Sequence, residues 1–255
     1  MKKAFSLVEL SIVLVILGLL TGGILGGQSL IRAAELRSVS ADFSRYQTAV
    51  MTFRDKYFAL PGDMVNATAF WGDDNTNCAD GAVANGTPGT CNGNGDGALG
   101  SGTVNPSEFF RAWQQLALAG LIEGTYTGIA GAADPRHSII GTNVPRSRIA
   151  NAGFSFYYEI YTPAHPNRFV NASSKNLIQF GAASGIVETY YPVIKPEEAW
   201  NIDTKMDDGR PGLGSLMAWK PSGAWTCSTS ADPATATYNL ADTTNGCNFD
   251  FVLLP

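Results

Sequence analysis

The feature that most constrains this chain is its N-terminal run, KKAFSLVELSIVLVILGLL continuing through TGGILGGQSLI, in which no charged residue occurs from Leu10 to Ile31. About 20 apolar residues are enough for a helix to cross a bilayer, so a membrane-spanning helix is the first expectation. Glu9 stands at the outer edge of that span. A carboxylate in a membrane segment costs a few kcal/mol and marks a functional site by default. A secretory signal would have an apolar core of about 7–15 residues and a small-residue cleavage site after it. Here the apolar run is longer, and it passes through TGGILGGQSLIRAAELR straight into a helical pattern.

Composition narrows what lies beyond the span. With 255 residues the remainder suits one head domain. A net charge of −5 and only 17 scattered Lys and Arg residues argue against a nucleic-acid partner, because phosphate binding needs a clustered basic face. The four cysteines fall as Cys78 with Cys91 and Cys227 with Cys247. Neither spacing suits a zinc knuckle or a redox motif. Each of these pairings closes a short loop, so two structural disulfides are expected, and with them an oxidising compartment for the head. Lys2 and Lys3 then stay in the cytoplasm, in line with the positive-inside tendency.

The local order at the start is specific. Lys2-Lys3-Ala4 followed by Phe5-Ser6-Leu7-Val8-Glu9-Leu10 resembles the class III signal of type IV prepilins and type II secretion pseudopilins. The resemblance implies a four-residue leader (1–4), cleavage between Ala4 and Phe5 by a prepilin peptidase/methyltransferase, and methylation of the new N-terminal Phe5. It implies a transmembrane and polymerisation helix over 5–31 and a pilin-like head over 32–255 that includes the second half of the same helix. It also supplies a partner for Glu9: the Phe5 amine, on a neighbouring subunit or one helical turn away in the same chain. A buried pair of this kind sets register more than it adds stability. The chain departs from the commonest family pattern in having Ala4 rather than Gly before the cut. It also has Gly22-Gly23 where many pilins carry a helix-kinking proline, so the softening point of the helix falls to glycine.

Beyond the span, Leu36, Val39, Phe43, Tyr46, Val50, Phe53, Tyr57 and Leu60 recur at spacings of three and four. They make one apolar stripe on one helix that faces a sheet. Pro61 ends it, since the residue before proline avoids helical geometry. From Phe5 to Leu60 the helix is on the order of 80 Å long. Residues 61–105, rich in Gly, Asn and Asp, read as a long loop. Asn105-Pro106 opens a helix, SEFFRAWQQLALAGLIEG, with Phe109, Phe110, Trp113, Leu116 and Ala117 on its buried face. Strands are expected at 154–161, 177–182, 189–194, 215–219 and 248–253. A short helix starts at Pro196, before a turn at IDTKMDDGRPG. The fold class is therefore α+β, a long helix on an antiparallel sheet with long loops.

NGNGDG places Asn92, Asn94 and Asp96 at alternate positions before Gly97, as in the first half of a calcium loop. Thr103 occupies the place of the bidentate Glu, so Glu108, or Asp73, Asp74, Asn75 and Asp80, would complete the shell. A solvated Asn/Gly loop is the alternative. Asp203 with Asp207 and Asp208 forms a second acidic group, with a turn before Gly209 as its plainer reading. His137 and His165 lie in loops with no acidic or cysteine neighbour at ligand spacing, and no hydrolase, zincin or phosphate-loop string occurs, so an enzyme is not expected. Two functions stay open. One is a structural subunit of a type IV pilus or a secretion pseudopilus, sitting in the bacterial inner membrane with a periplasmic head. The other is a membrane-anchored extracytoplasmic protein that binds calcium or a glycan without polymerising.

Overall fold

The structure is a computed structural model that describes residues 7–74, 78, 89–100, 107–159, 167–169, 175–183, 185 and 188–253. Helix α1 runs unbroken from Leu7 to Tyr57. Its first half is exposed along its length, and by length and composition it can cross a membrane. Its second half buries Val39, Phe43, Tyr46, Ala49, Val50 and Phe53, of which all but Ala49 belong to the expected stripe, while Leu36 and Tyr57 from that stripe are half-buried. The helix stops at Tyr57, three residues short of the expected end. Phe58 takes the left-handed conformation at φ 55°, and its amide donates the last helical bond to the Arg54 carbonyl at 2.8 Å. A left-handed residue just past the helix satisfies the terminal carbonyls, so the helix is already closed when the chain reaches Leu60, which is buried outside it.

The sheet comprises β1 (Ala152–Glu159), β2 (Lys175–Ala183), β3 (Thr189–Tyr191), β4 (Leu216–Met217) and β5 (Phe249–Val252). All its pairings are antiparallel, in the order β1-β2-β5-β4, with β3 also paired to β2. The register sets Phe154 against Phe180, Phe156 against Ile178, Phe180 against Phe249 and Ile178 against Phe251. Because side chains alternate across a strand, these residues share the face that meets α1 and α3 (Ser107–Leu118). Tyr46 lies edge-on to Phe154 and to Trp113, and Trp113 stacks on Phe156 with centroids 4.2 Å apart.

The strands expected at 189–194 and 215–219 shrink to the short β3 and β4, and three further expectations change in detail. The stretch expected to be all loop contains a one-turn helix, α2 (Thr68–Trp71). Helix α4 extends from Pro196 to Met206, so the residues read as a turn after PEEAWN are helical through Met206. Burial of Ala199, Ile202 and Asp203 on one face carries the helix past the point where local composition favours a turn. In α3, Phe109, Phe110, Trp113 and Leu116 are buried as expected, but Arg111, Gln114 and Gln115 are buried too. Gln115 takes the Gly62 amide at 2.6 Å on its Oε1 and donates to the Cys91 carbonyl at 3.1 Å. The helix is thus a strut for the loop around the first disulfide.

Candidate functional site

The first candidate is the exposed half of α1. Glu9 and the apolar residues on either side of it are open to their surroundings, on a helix that continues without a break through Gly22-Gly23. A Cβ added at Gly18, Gly22, Gly23, Gly26 or Gly27 would meet nothing within 4 Å. Ala4 and Phe5 lie outside the described residues.

Immediately after the apolar run the helix is fastened to the head. Arg32 donates to Glu198 from Nε to Oε1 at 2.6 Å and from Nη2 to Oε2 at 2.7 Å, and from Nη1 to Glu35 at 3.1 Å. Bidentate guanidinium–carboxylate pairs are strong and directional. Glu198 also accepts the Lys195 amide at 3.0 Å, which ties the residue before α4 to its first turn, where Pro196 stands. Burial alone would raise the Glu198 carboxyl, but the bonds from Arg32 and from the Lys195 amide bring it below its ordinary value.

The acidic loop gathers around Asp63, which lies outside the NGNGDG string. Asp63 accepts the amides of Gly95 and Asp96 on Oδ1, at 2.6 and 3.1 Å, and that of Gly97 on Oδ2 at 2.9 Å. A Cβ on Gly93 would fall 2.3 Å from the Asp63 Cα, so only glycine lets the loop pass this close. The Asn94 amide donates to Glu108 at 3.2 Å, and Asn94 Nδ2 to Asp96 at 2.9 Å. Asp63, Asp96 and Glu108 each bring a carboxylate oxygen to within 4.8 Å of the others and could hold a metal ion. Burial raises Glu108 to about 7, assisted by the nearby Asp63 and Asp96 and opposed by the Asn94 amide.

Other expected ligands point elsewhere. Asn92 Oδ1 accepts the Thr68 amide at 2.9 Å. Asp74 pairs with the buried Arg111 at 2.9 Å, and Asp73 lies beside the Cys78–Cys91 disulfide. Thr103, Asn75 and Asp80 lie outside the described residues. A signal for Asp63 existed in PGDM, but nothing in the sequence tied that turn to a loop 30 residues later.

The second acidic group has a structural occupation. The Tyr238 hydroxyl donates to Asp203 at 2.7 Å and the Gly209 amide at 3.2 Å, while Asp207 accepts the Leu216 amide at 3.0 Å. Burial lifts Asp203 to about 7, against the pull of the Tyr238 bond.

Both expected disulfides are present, Cys78–Cys91 and Cys227–Cys247, with Cα separations of 5.4 and 4.7 Å. His137 is half-buried, and its Nδ1 accepts the Ala133 amide at 3.4 Å. His165 lies outside the described residues. One buried ionic group had no sequence signal. On the sheet face turned away from α1, Arg168 lies 4.1 Å from the Tyr157 ring centroid and 4.7 Å from that of Trp219. Its guanidinium approaches Glu159 at 3.6 Å and Asp250 at 3.8 Å. Asp250 in turn accepts from Gln179 at 3.1 Å and from Trp219 Nε1 at 3.0 Å.

Comparison with known protein families, with curated proteins and with solved structures finds no match to this chain.

Proposed function

We propose that this protein is a structural subunit of a type IV pilus or a type II secretion pseudopilus, cleaved between Ala4 and Phe5 and polymerised through α1. The observation that carries the reading is the division of one continuous helix, exposed and apolar with Glu9 at its start and buried in the head from Val39 onward. A simple anchor needs no carboxylate at the edge of its span and no rigid continuation into the core. A subunit that stacks needs both. Lipid and neighbouring helices are about equally apolar, so hydrophobicity selects no register and a polar contact has to do so. The continuous helix then carries that register into the head. The chain sits in the bacterial inner membrane with its head in the periplasm before assembly. Its partners are the prepilin peptidase/methyltransferase and other pilin subunits.

Deletion of the gene, with surface filaments and motility scored against extracellular enzyme release, tests this. Loss of one of these phenotypes is expected, together with a mature N-terminus at Phe5 by mass spectrometry. Intact Met1-Lys2-Lys3 with both phenotypes preserved overturns the proposal in favour of a non-polymerising anchored binding protein.

A further inference from the structure

We propose that the N-terminal half of α4 docks the base of the head on the headgroup–acyl boundary of the bilayer that α1 spans, with Trp200 as the inserted side chain. The inference rests on reading α1 as a membrane span and does not require that the chain polymerise.

The level of α4 relative to the membrane follows from one contact. The uncharged run ends at Ile31, and the next residue, Arg32, holds Glu198 by two hydrogen bonds of 2.6 and 2.7 Å. Trp200 is two residues beyond Glu198, a rise of about 3 Å along the helix. The interfacial layer on each side of a bilayer is about 5–8 Å deep, the difference between a hydrocarbon core of about 30 Å and a full thickness of about 40–45 Å. Trp200 therefore lies within that layer. The Lys195 amide donates to Glu198 and Pro196 opens the helix, so the placement rests on a capped helical turn.

The chemistry of the side chain agrees. Trp200 is 40% exposed, the most exposed of the five tryptophans, while Pro196, Ala199, Ile202 and Asp203 occupy the buried face of α4. An indole has an apolar body and one N–H donor, which suits a boundary that is apolar on one side and wet on the other. Charge contributes little. The cations Arg32, Arg37, Lys195 and Lys205 are nearly matched by Glu35, Glu197 and Glu198, so attraction to anionic lipid is weak and insertion of the ring dominates. A subunit that leaves the bilayer has to withdraw Trp200 first.

The test uses the full chain in phosphatidylcholine vesicles, with a nitroxide on Glu197→Cys and, as reference, on Phe58→Cys, a position 93% exposed just past the end of α1. The native cysteines are in disulfides. Collisions with a water-soluble nickel chelate are expected to be severalfold fewer at residue 197 than at 58, with oxygen access retained. Trp200→Ala should abolish that protection and Trp200→Tyr should restore it, while phosphatidylglycerol should change it little. Equal nickel access at 197 and 58, protection that survives Trp200→Ala, or shielding from both reagents as in a protein contact overturns the docking. A chain lost from the vesicles on alkaline washing overturns the span and the docking with it, whereas a retained chain with residue 197 open overturns the docking alone.

Discussion

Phe43 and Phe251 stack with their ring centroids 4.0 Å apart and their planes 17° from parallel. They join α1 to β5, so the helix whose first half is apolar and long enough to cross a membrane also packs on the sheet of the head. Truncating a buried phenylalanine costs about 3–5 kcal/mol. Phe43→Ala should therefore lower the Tm of the detergent-solubilised chain by several degrees, at about 2–4 °C per kcal/mol for a domain of this size. Leu14→Ala, on the exposed half of the same helix, should leave it unchanged. Calorimetry of the two variants side by side checks the division of α1 into an exposed half and a core half.

Glu9 variants address assembly. Glu9→Ala should leave the chain cleaved and inserted, because the cut reads the residues around Ala4-Phe5 and insertion eases when a carboxylate leaves the span. Filaments should fail, since breaking a buried pair from one side costs about 3–5 kcal/mol. Glu9→Gln should be intermediate. Sheared filaments containing Glu9→Ala protein at the wild-type level, as the sole copy expressed, would refute the proposed pairing.

Asp203 gives a pH dependence with a defined sign. Burial raises its carboxyl from an ordinary 3.8 to about 7, so between about pH 4 and pH 7 the folded chain holds a proton that the unfolded chain has released. Stability therefore falls as pH rises through that window. Glu108, at about 7, acts in the same direction. The Tm should be higher at pH 5 than at pH 8, and Asp203→Asn, which still accepts the Tyr238 hydroxyl, should narrow the gap. An unchanged gap in that variant would remove Asp203 as its source.

Arg168 tests the buried ionic face of the sheet. Removing the guanidinium leaves Glu159 and Asp250 charged in a region with no solvent exposure, and breaking such a group costs about 3–5 kcal/mol. Arg168→Met should destabilise the head by that order. Arg168→Lys should recover little of the loss, because a point ammonium cannot stack between the Tyr157 and Trp219 rings as a planar guanidinium does. Full recovery by lysine in urea denaturation would show that charge alone matters there.

What the sequence determined by itself was local. The three-and-four stripe from Leu36 to Tyr57, the alternating β-branched and aromatic runs and the short-loop cysteine pairs are patterns within a few turns or tens of residues. They gave the α+β class, the long helix and both disulfides, because helix and strand periods of 3.6 and 2 residues are written into neighbouring positions. Where the pattern ran into a boundary it slipped: α1 closes at a left-handed Phe58 instead of at Pro61, and α4 runs through Met206 because tertiary burial outweighs its turn-forming composition. The tertiary structure alone decided the pairings between distant segments. Asp63 joins Asp96 and Glu108, Arg32 takes Glu198 across 166 positions, and Arg168 meets Glu159 and Asp250 on the second face of the sheet. Such partners leave no periodic trace, since each side chain is an ordinary charged residue until the fold brings its counterpart to it and removes the water between them.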